Sequence, residues 1–201
     1  VLHGGGIHVG AITQGSNVYV PFLKEIFSCI SDVKVEDDML GFIASRFMLS
    51  NAISSVCAIT GYNLGRTLQY KTAKKLFIGL IREDVELFKK MGVKIMPYND
   101  TFDYEQFVEN SFAGIRYRSK MFSRLIKQNG EMVSSALRSL ENKQPTELDS
   151  MCARVVELGE GAGLTVPYNK AVAEFLDDVE KGRRGIYIEN LEDKKFKELE
   201  M

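Results

Sequence analysis

Residues 36–61 read EDDMLGFIASRFMLSNAISSVCAITG, and apolar side chains recur in this segment at helical spacing along nearly its whole length. The acidic residues Glu36, Asp37 and Asp38 suit the partial positive charge of a helix N-terminus, so a helix is predicted from here to about Gly61. Because its apolar residues occupy almost every side, neighbouring elements are expected to surround it. The segment is therefore predicted to be the central helix of a helical domain.

The remaining pattern predicts a mainly α fold class, a helical bundle preceded by a short strand-helix-strand segment. The all-α domain is expected to span residues 37–182. Further helices are predicted at Tyr70–Met91, Tyr104–Lys127 and Met132–Leu140. Another is predicted to start at Pro145–Asp149, with Thr146 as its cap, and to end at Gly161 and Gly163. The last is predicted from Pro167 onward.

The two ends of the chain read differently from this domain. Residues 1–36 carry the strand-helix-strand pattern, and two strands alone do not make a stable sheet, so a partner sheet is needed. Because the chain enters a strand at Val1, an upstream portion is expected to be missing. Residues 183–201 read as a charged tail, solvated or bound to a partner, with a strand-like patch at 186–188.

The composition excludes several functional classes. The 26 Lys and Arg residues nearly balance the 27 Asp and Glu residues, so no global field draws the protein to nucleic acid or to an anionic membrane. Three distant cysteines, Cys29, Cys57 and Cys152, fit neither a disulfide framework nor a zinc site, and they are predicted to be buried apolar residues in a reducing compartment. With no signal peptide and no run long enough to span a bilayer, a cytoplasmic location is expected.

The glycine-rich start offers little for a cofactor or a metal. A dinucleotide fingerprint needs its third glycine three positions after the second, but the residue three positions after Gly6 is Val9. The glycines are better interpreted as a turn or a close backbone crossing. His3 and His8, the only histidines, fall on opposite faces of an extended chain, so no metal site is predicted.

The central helix carries Arg46, Ser50 and Ser54 at intervals of four residues, which places them on one face of an otherwise apolar helix. A long cation beside two small hydroxyl groups is suited to bind an anionic, hydroxylated small molecule. The structural alternative is that Arg46 pairs with a carboxylate of a neighbouring helix while the serines bond back to the preceding turn. The residues themselves leave both interpretations open.

Residues 134–169 read SSALRSLENKQPTELDSMCARVVELGEGAGLTVPYN, a stretch that resembles the signature of the ketopantoate reductases, or 2-dehydropantoate 2-reductases. In that family a Ser-Ser-Met segment leads to Thr-Glu-Ile-Asp and then to a helix that ends in a Gly, Pro, Asn turn. The spacing from the serine pair to Thr146 is kept without a gap. Residues 43–61 are also similar to the family's central helix, and residues 1–10 to its last strands before the helical domain.

The resemblance implies a fold and a reaction. The fold is a helical domain of the type found at the C-terminus of 6-phosphogluconate dehydrogenase, packed after a Rossmann domain that binds NADP. The reaction is hydride transfer from NADPH to the ketone of 2-dehydropantoate, a small 2-keto acid of pantothenate biosynthesis. Since both halves are needed, this chain is not expected to turn over alone, and a homodimer and the Rossmann domain are its expected protein partners.

The resemblance also assigns residues. The family presents a lysine as general acid with asparagines four and eight residues later, and these places fall on Arg46, Ser50 and Ser54. A guanidinium, with a reference pKa of about 12.5 or higher, is a poor proton donor, but it can polarise a carbonyl or clamp a carboxylate. Ser135 and Glu147 match the family's substrate-side serine and active-site glutamate; structurally, Ser135 could instead cap a helix and Glu147 complement a helix start.

Two functions are therefore weighed. The first is the substrate half of an NADPH-dependent 2-keto acid reductase, with Arg46 and Glu147 as catalytic residues and Ser50, Ser54 and Ser135 as substrate-binding residues. The second is a non-catalytic helical module for dimerisation or ligand binding, favoured by the loss of the lysine. A run of cations is interpreted as a solvated face or as an attractor for an acidic substrate: Arg116, Arg118, Lys120, Arg124 and Lys127.

Overall fold

The computed structural model describes residues 6–99, 101–147 and 150–199. Within them lie two short strands, β1 (Ile7–Val9) and β2 (Val33–Val35). The α-helices are α1 (Val20–Ser28), α2 (Met39–Thr60), α3 (Leu64–Thr67), α4 (Lys71–Lys90), α5 (Tyr104–Val108), α6 (Phe112–Asn129), α7 (Ser135–Glu141), α8 (Cys152–Ala162), α9 (Pro167–Glu180) and α10 (Lys194–Lys197). The predicted mainly α fold class, with its strand-helix-strand start, is confirmed.

Helix α2 is the centre of the domain, as predicted. The Asp38 side chain caps it by accepting from the Gly41 N–H at 2.9 Å, and Gly61 ends it in the left-handed conformation with φ 71°. The predicted start at Glu36 is three residues too early, because that carboxylate leaves the helix to bind His8. Helix α2 is long and apolar enough to cross a membrane, but 72% of its most apolar window is buried within the fold.

Helices α4 and α9 pack on α2 and on each other. Gly79 of α4 lies directly under the Tyr168 ring, and a Cβ atom there would fall 2.2 Å from that ring. Helix α4 ends before Gly92, which has a φ of 75°, and Pro167 opens α9 as predicted. The close approach at Gly79 brings the carboxylates of α4 to the N-terminus of α9.

The helix predicted at Tyr104–Lys127 is two helices, α5 and α6. Ser111 interrupts it by capping α6, accepting from the Gly114 N–H at 3.1 Å. Arg118 stabilises the break because its guanidinium donates to the Phe107 and Glu109 carbonyls at 3.1 and 2.7 Å. A capping serine inside an apolar pattern is a helix boundary that periodicity does not detect.

The helix start predicted at Pro145–Asp149 is also misplaced, because α8 begins only at Cys152. Thr146 does not cap α8; its backbone N–H and its hydroxyl both bond to the carboxylate of Glu180 at the end of α9. Leu148 and Asp149 of this prediction lie outside the described residues. The predicted end is confirmed at Gly163, which has a φ of 69°, whereas Gly161 lies inside the helix.

The segment after Gly182 is not a solvated tail. Leu191 and Phe196 are buried in the core, and the Phe196 ring lies 5.4 Å from the Phe175 ring, centroid to centroid. The Asn190 amide donates to the carbonyl of Ile59 in α2 at 3.0 Å. The strand-like patch at 186–188 forms no strand, because a 3-10 helix at Ile188–Glu192 turns the chain back onto α2 and α4.

The first elements form a parallel strand-helix-strand unit in which Ile7 pairs with Val33 and Val9 with Val35. His8 joins this unit to α2, since its ring bonds to Glu36 at 2.7 Å and stacks on Phe42 at 4.3 Å between centroids. Helix α1 has no buried residue although its sequence is apolar. Cys29, at its end, is exposed, which contradicts the prediction that all three cysteines are buried.

Candidate functional site

A cleft of about 1370 Å³ opens along one face of α2. Its floor is the α2 face that begins at Ile43, and its far wall runs from the last turn of α6 through α7. The wall is held in place at Gly130, whose carbonyl accepts from the Gly65 N–H at 2.8 Å. The polar and charged residues that line the cleft are Arg46, Ser50, Ser54, Tyr98, Lys127, Gln128, Asn129, Glu131, Ser134, Ser135, Arg138 and Ser139.

The three α2 residues singled out from the sequence all line this cleft. Arg46 and Ser50 are exposed to it, and Ser54 is buried beneath them. The Arg46 guanidinium lies 6.0 Å from the centroid of the Phe42 ring and forms no ion pair among the described residues. Neither serine hydroxyl bonds back to the helix in the described part of the chain. The side chains are thus available to a ligand.

The serine pair divides two roles between its members. Ser134 is the N-cap of α7, where its hydroxyl accepts from the Leu137 N–H at 3.2 Å. Ser135 is exposed and lines the cleft together with Ser139. Because Ser134 performs the capping, the structural alternative considered for Ser135 is not needed.

Glu147 stands apart from this group. Its side chain is exposed, and it is not one of the described residues that line the cleft. Its backbone carbonyl accepts from the Ser150 N–H at 3.0 Å, in the turn that leads to Met151 at the cleft edge. The structure therefore brings four of the five predicted site residues to one cleft and leaves the fifth beside it.

Two cations of the cleft wall were not assigned a site role from the sequence. Arg138 lies on α7 three residues after Ser135, a spacing that puts both on one side of the helix and could have revealed it. Lys127 lies in the last turn of α6, and it was noticed only as part of the run of cations. No local signal predicts that the end of α6 faces α2.

A buried polar network joins α2 to α4 and α9. Asn51 donates to the Asp84 carboxylate at 3.0 Å and to the Asn169 side-chain oxygen at 3.0 Å. Glu83 accepts from the Tyr168 and Asn169 backbone N–H groups at 2.6 and 2.8 Å, which caps α9. The sequence analysis did not predict this network; the signal that could have revealed it is the acid pair of Glu83 and Asp84 within the apolar stripe of α4.

Both acids of the network have raised pKa values. Burial raises the pKa of Glu83 to about 7, against the opposing effect of the N–H groups of Asn169 and Tyr168. Burial also raises the pKa of Asp84 to about 8, opposed by the bond from Asn51 and reinforced by the charge of Glu83. The network is a joint between α2, α4 and α9, and none of its members lines the cleft.

A close backbone crossing, one of the two alternatives predicted for the glycine-rich start, is found at Gly10. A Cβ atom at Gly10 would lie 2.6 Å from the Glu36 carbonyl oxygen and 2.8 Å from the Met39 Cβ, so this glycine permits a close backbone crossing. Gly4 and Gly5 lie outside the described residues. Among the residues that are described, no group of His, Cys, Asp or Glu side chains is placed to hold a metal ion.

Comparisons with known proteins agree with this architecture. The family model of the ketopantoate reductase PanE/ApbA C terminal matches residues 38–180. A PanE/ApbA family ketopantoate reductase from Ralstonia eutropha JMP134 superposes with a TM-score of 0.69 at 19% identity, covering 91% of this chain and 54% of its own. No curated protein matches the chain in sequence. This chain thus spans about half the length of the Ralstonia protein.

Two further solved structures share the fold. D-mandelate dehydrogenase, solved with NADH and anilino(oxo)acetate, gives a TM-score of 0.68 at 14% identity, covering 87% of this chain and 66% of its own. Dimeric ketopantoate reductase from Staphylococcus aureus gives 0.63 at 12% identity, covering 88% and 54%. On the strength of the family match over α2 to α9, the chain belongs to the ketopantoate reductase family and carries its helical C-terminal domain.

Proposed function

We propose that this chain is the substrate-binding half of an NADPH-dependent reductase that acts on a 2-keto acid of the 2-dehydropantoate type. The observation that supports it is the meeting of Arg46, Ser50, Ser54 and Ser135 along one cleft. One cation and three hydroxyl groups suit a small ligand with a carboxylate and a ketone. The chain also belongs to the family whose substrate is such an acid.

In this proposal Arg46 is the residue that recognises the keto acid. Its guanidinium can clamp the carboxylate through two parallel hydrogen bonds, or it can stabilise the ketone oxygen as that atom gains negative charge. It does not donate a proton, because a guanidinium stays charged at neutral pH. Ser50, Ser54 and Ser135 orient the ligand by donating from their hydroxyl groups.

Other parts of the proposal concern the whole protein. The glycines of this chain lack the spacing of a dinucleotide fingerprint, so the proposal places NADPH, the hydride donor, on a second, dinucleotide-binding domain. Glu147, exposed beside the cleft, is proposed to reach the substrate only in the assembled protein. A cytoplasmic location and a homodimer, as in the Staphylococcus relative, complete the proposal.

The test is direct binding of 2-dehydropantoate to this chain, measured by calorimetry or NMR titration. Arg46→Gln is expected to weaken binding about 10- to 100-fold, and Ser135→Ala about 3- to 10-fold, since bonds to charged groups are the stronger ones. Arg116→Gln on the exposed face of α6 removes the same charge outside the cleft and should leave the affinity unchanged. Equal effects at positions 46 and 116 would contradict the proposal.

The alternative function, a non-catalytic ligand-binding or dimerisation module, is favoured by the arginine at position 46. The two functions differ in their response to Arg46→Lys in a protein that joins this domain to a dinucleotide-binding domain. A rise in NADPH-dependent reduction of 2-dehydropantoate supports a working reductase cleft. If Arg46→Lys leaves the reduction of 2-dehydropantoate undetectable while the ligand still binds, the result supports the non-catalytic module.

A further inference from the structure

The cleft has an excess of positive charge that a simple keto acid does not balance. Among the described residues, its lining holds three cations, Arg46, Lys127 and Arg138, and one carboxylate, Glu131, although the protein as a whole has a net charge of −1. The described residues provide none of the three cations with an ion pair. Some surface cations outside the cleft are paired, as Lys181 is with Asp177 at 2.7 Å.

Two of these cations, to which the proposed function gives no role, lie on one wall of the cleft. Lys127 lies in the last turn of α6 and Arg138 in the last turn of α7, whereas Arg46 lies on α2. The helix dipole favours a cation in the last turn of a helix. It does not supply an acceptor for the N–H donors of that cation. Glu131 does not neutralise the two cations through an ion pair, and its carboxylate accepts instead from the Asn63 amide at 3.4 Å.

The backbone that carries these cations is held firmly. The Met132 carbonyl accepts from the Leu64 N–H at 3.0 Å, and Gly130 lies so close to Gly65 that a Cβ atom on Gly65 would be 2.9 Å from its Cα. Ser134 then caps α7. The wall is therefore a built part of the cleft.

We propose that the ligand of this cleft carries a second anionic group, and that Lys127 and Arg138 form the subsite for it. The inference rests on the proposed function, in which Arg46 and the serines hold the keto acid end. In this chain alone, where Glu147 does not line the cleft, a monocarboxylate leaves one cation in excess, whereas a dianion balances the described lining. The volume of about 1370 Å³, above the usual ~300–1,000 Å³ of small-molecule sites, leaves room for the longer ligand. The substrate class is thus a 2-keto acid with a distal acidic group.

The test compares ligands that differ only at the far end. Binding to the full chain is measured by NMR titration for 2-oxoglutarate, for its 5-methyl ester and for 2-oxopentanoate, which has the same carbon chain without the second carboxylate. The wild-type chain is expected to prefer 2-oxoglutarate about tenfold, because hydrogen bonds to a charged group are strong. The double variant Lys127→Gln, Arg138→Gln should lose this preference while still binding the ester.

A matched control separates contact from long-range attraction. Arg116→Gln with Lys120→Gln removes the same two charges from exposed positions of α6 that do not line the cleft, and it should keep the tenfold preference. Equal affinity of the wild-type chain for the three ligands, or a preference that survives the Lys127, Arg138 double variant, overturns the inference. If the three ligands bind alike and Arg46→Gln weakens all of them, the proposed function stands without the second subsite. If none binds, both fail.

Discussion

At the scale of the residue, helical spacing correctly predicted which side chains share a face of a predicted helix. Arg46, Ser50 and Ser54 share one face of α2 and line one cleft, as their interval of four residues predicts. Glu147 was assigned by resemblance alone, and it lies in a turn outside the lining. Periodicity carries information about helix faces, but it carries none about the path of a turn.

The packing of α4 against the Tyr168 ring leaves room only for glycine at position 79. Gly79→Ala should destabilise the protein by about 1–3 kcal/mol or more, because a Cβ atom would lie 2.2 Å from the buried Tyr168 ring. Gly161→Ala is the matched control, since a Cβ atom added at this helical glycine of α8 would meet no neighbouring atom within 4 Å. This change should be neutral or stabilising by up to ~1 kcal/mol. Chemical denaturation measures both; a harmless Gly79→Ala would refute the contact.

At the scale of the element, the sequence predicted helices well and their ends less well. Helices α2, α4 and α9 lie where their apolar stripes and flanking glycine or proline indicate. The break at Ser111 and the late start of α8 at Cys152 were missed, because Ser111 caps α6 within an apolar pattern and Thr146 bonds to Glu180 of α9 instead of starting α8. Arg118 at the break and Glu180 beside Thr146 are partners that only the folded chain brings together.

The joint between α2, α4 and α9 predicts a pH dependence of stability. The pKa values of Glu83 and Asp84 are raised by burial, to about 7 and about 8, so the folded state binds more protons than the unfolded chain between pH ~4 and ~8. The contribution of these acids is fully present below pH ~4, and it is lost as the pH rises through their folded pKa values. The free energy of unfolding should fall by about 2 kcal/mol or more between pH 5 and pH 8.

Denaturation by urea at a series of pH values measures this slope. The double variant Glu83→Gln, Asp84→Asn should flatten it, even though the new amides cost about 1–3 kcal/mol by mismatching the donors of Asn51 and Asn169. Asp177, whose pKa is lowered first by its bond from Lys181, acts only at acid pH and in the opposite direction. Stability that is level or rising from pH 5 to pH 8 would show that the acids are charged in the folded protein.

The wall of the cleft makes a second prediction at this scale. Gly65→Ala should displace Gly130 and with it the segment that carries Lys127, because the added Cβ atom would lie 2.9 Å from the Gly130 Cα. Ligand binding is expected to weaken about tenfold, with the helix content measured by circular dichroism unchanged. Retention of full affinity for 2-dehydropantoate would mean that the wall is not part of the binding site.

At the scale of the whole molecule, the sequence predicted the fold class and the order of elements, but not how the last residues are used. Charge made residues 183–201 read as a tail, yet Leu191 and Phe196 anchor them in the core. Two apolar side chains among many charged ones give too weak a pattern to predict such docking. That the first strands need a partner sheet stays a prediction, which rests on the small area that two strands bury on their own.

An apolar stripe along the first helical elements supports that prediction. Val18, Phe22, Ile26 and Ile30 are 73%, 61%, 47% and 75% exposed at intervals of four residues, so the chain alone should bind a hydrophobic dye such as ANS. Phe22→Ser with Ile26→Ser should remove most of the dye fluorescence. The control, Phe112→Ser with Ile115→Ser, takes two comparably exposed side chains from α6 and should remove little, because a continuous stripe binds apolar molecules more strongly than an isolated pair. Equal losses in the two variants would mean that the stripe is ordinary surface, and the expectation of a partner sheet would then rest on the strands alone.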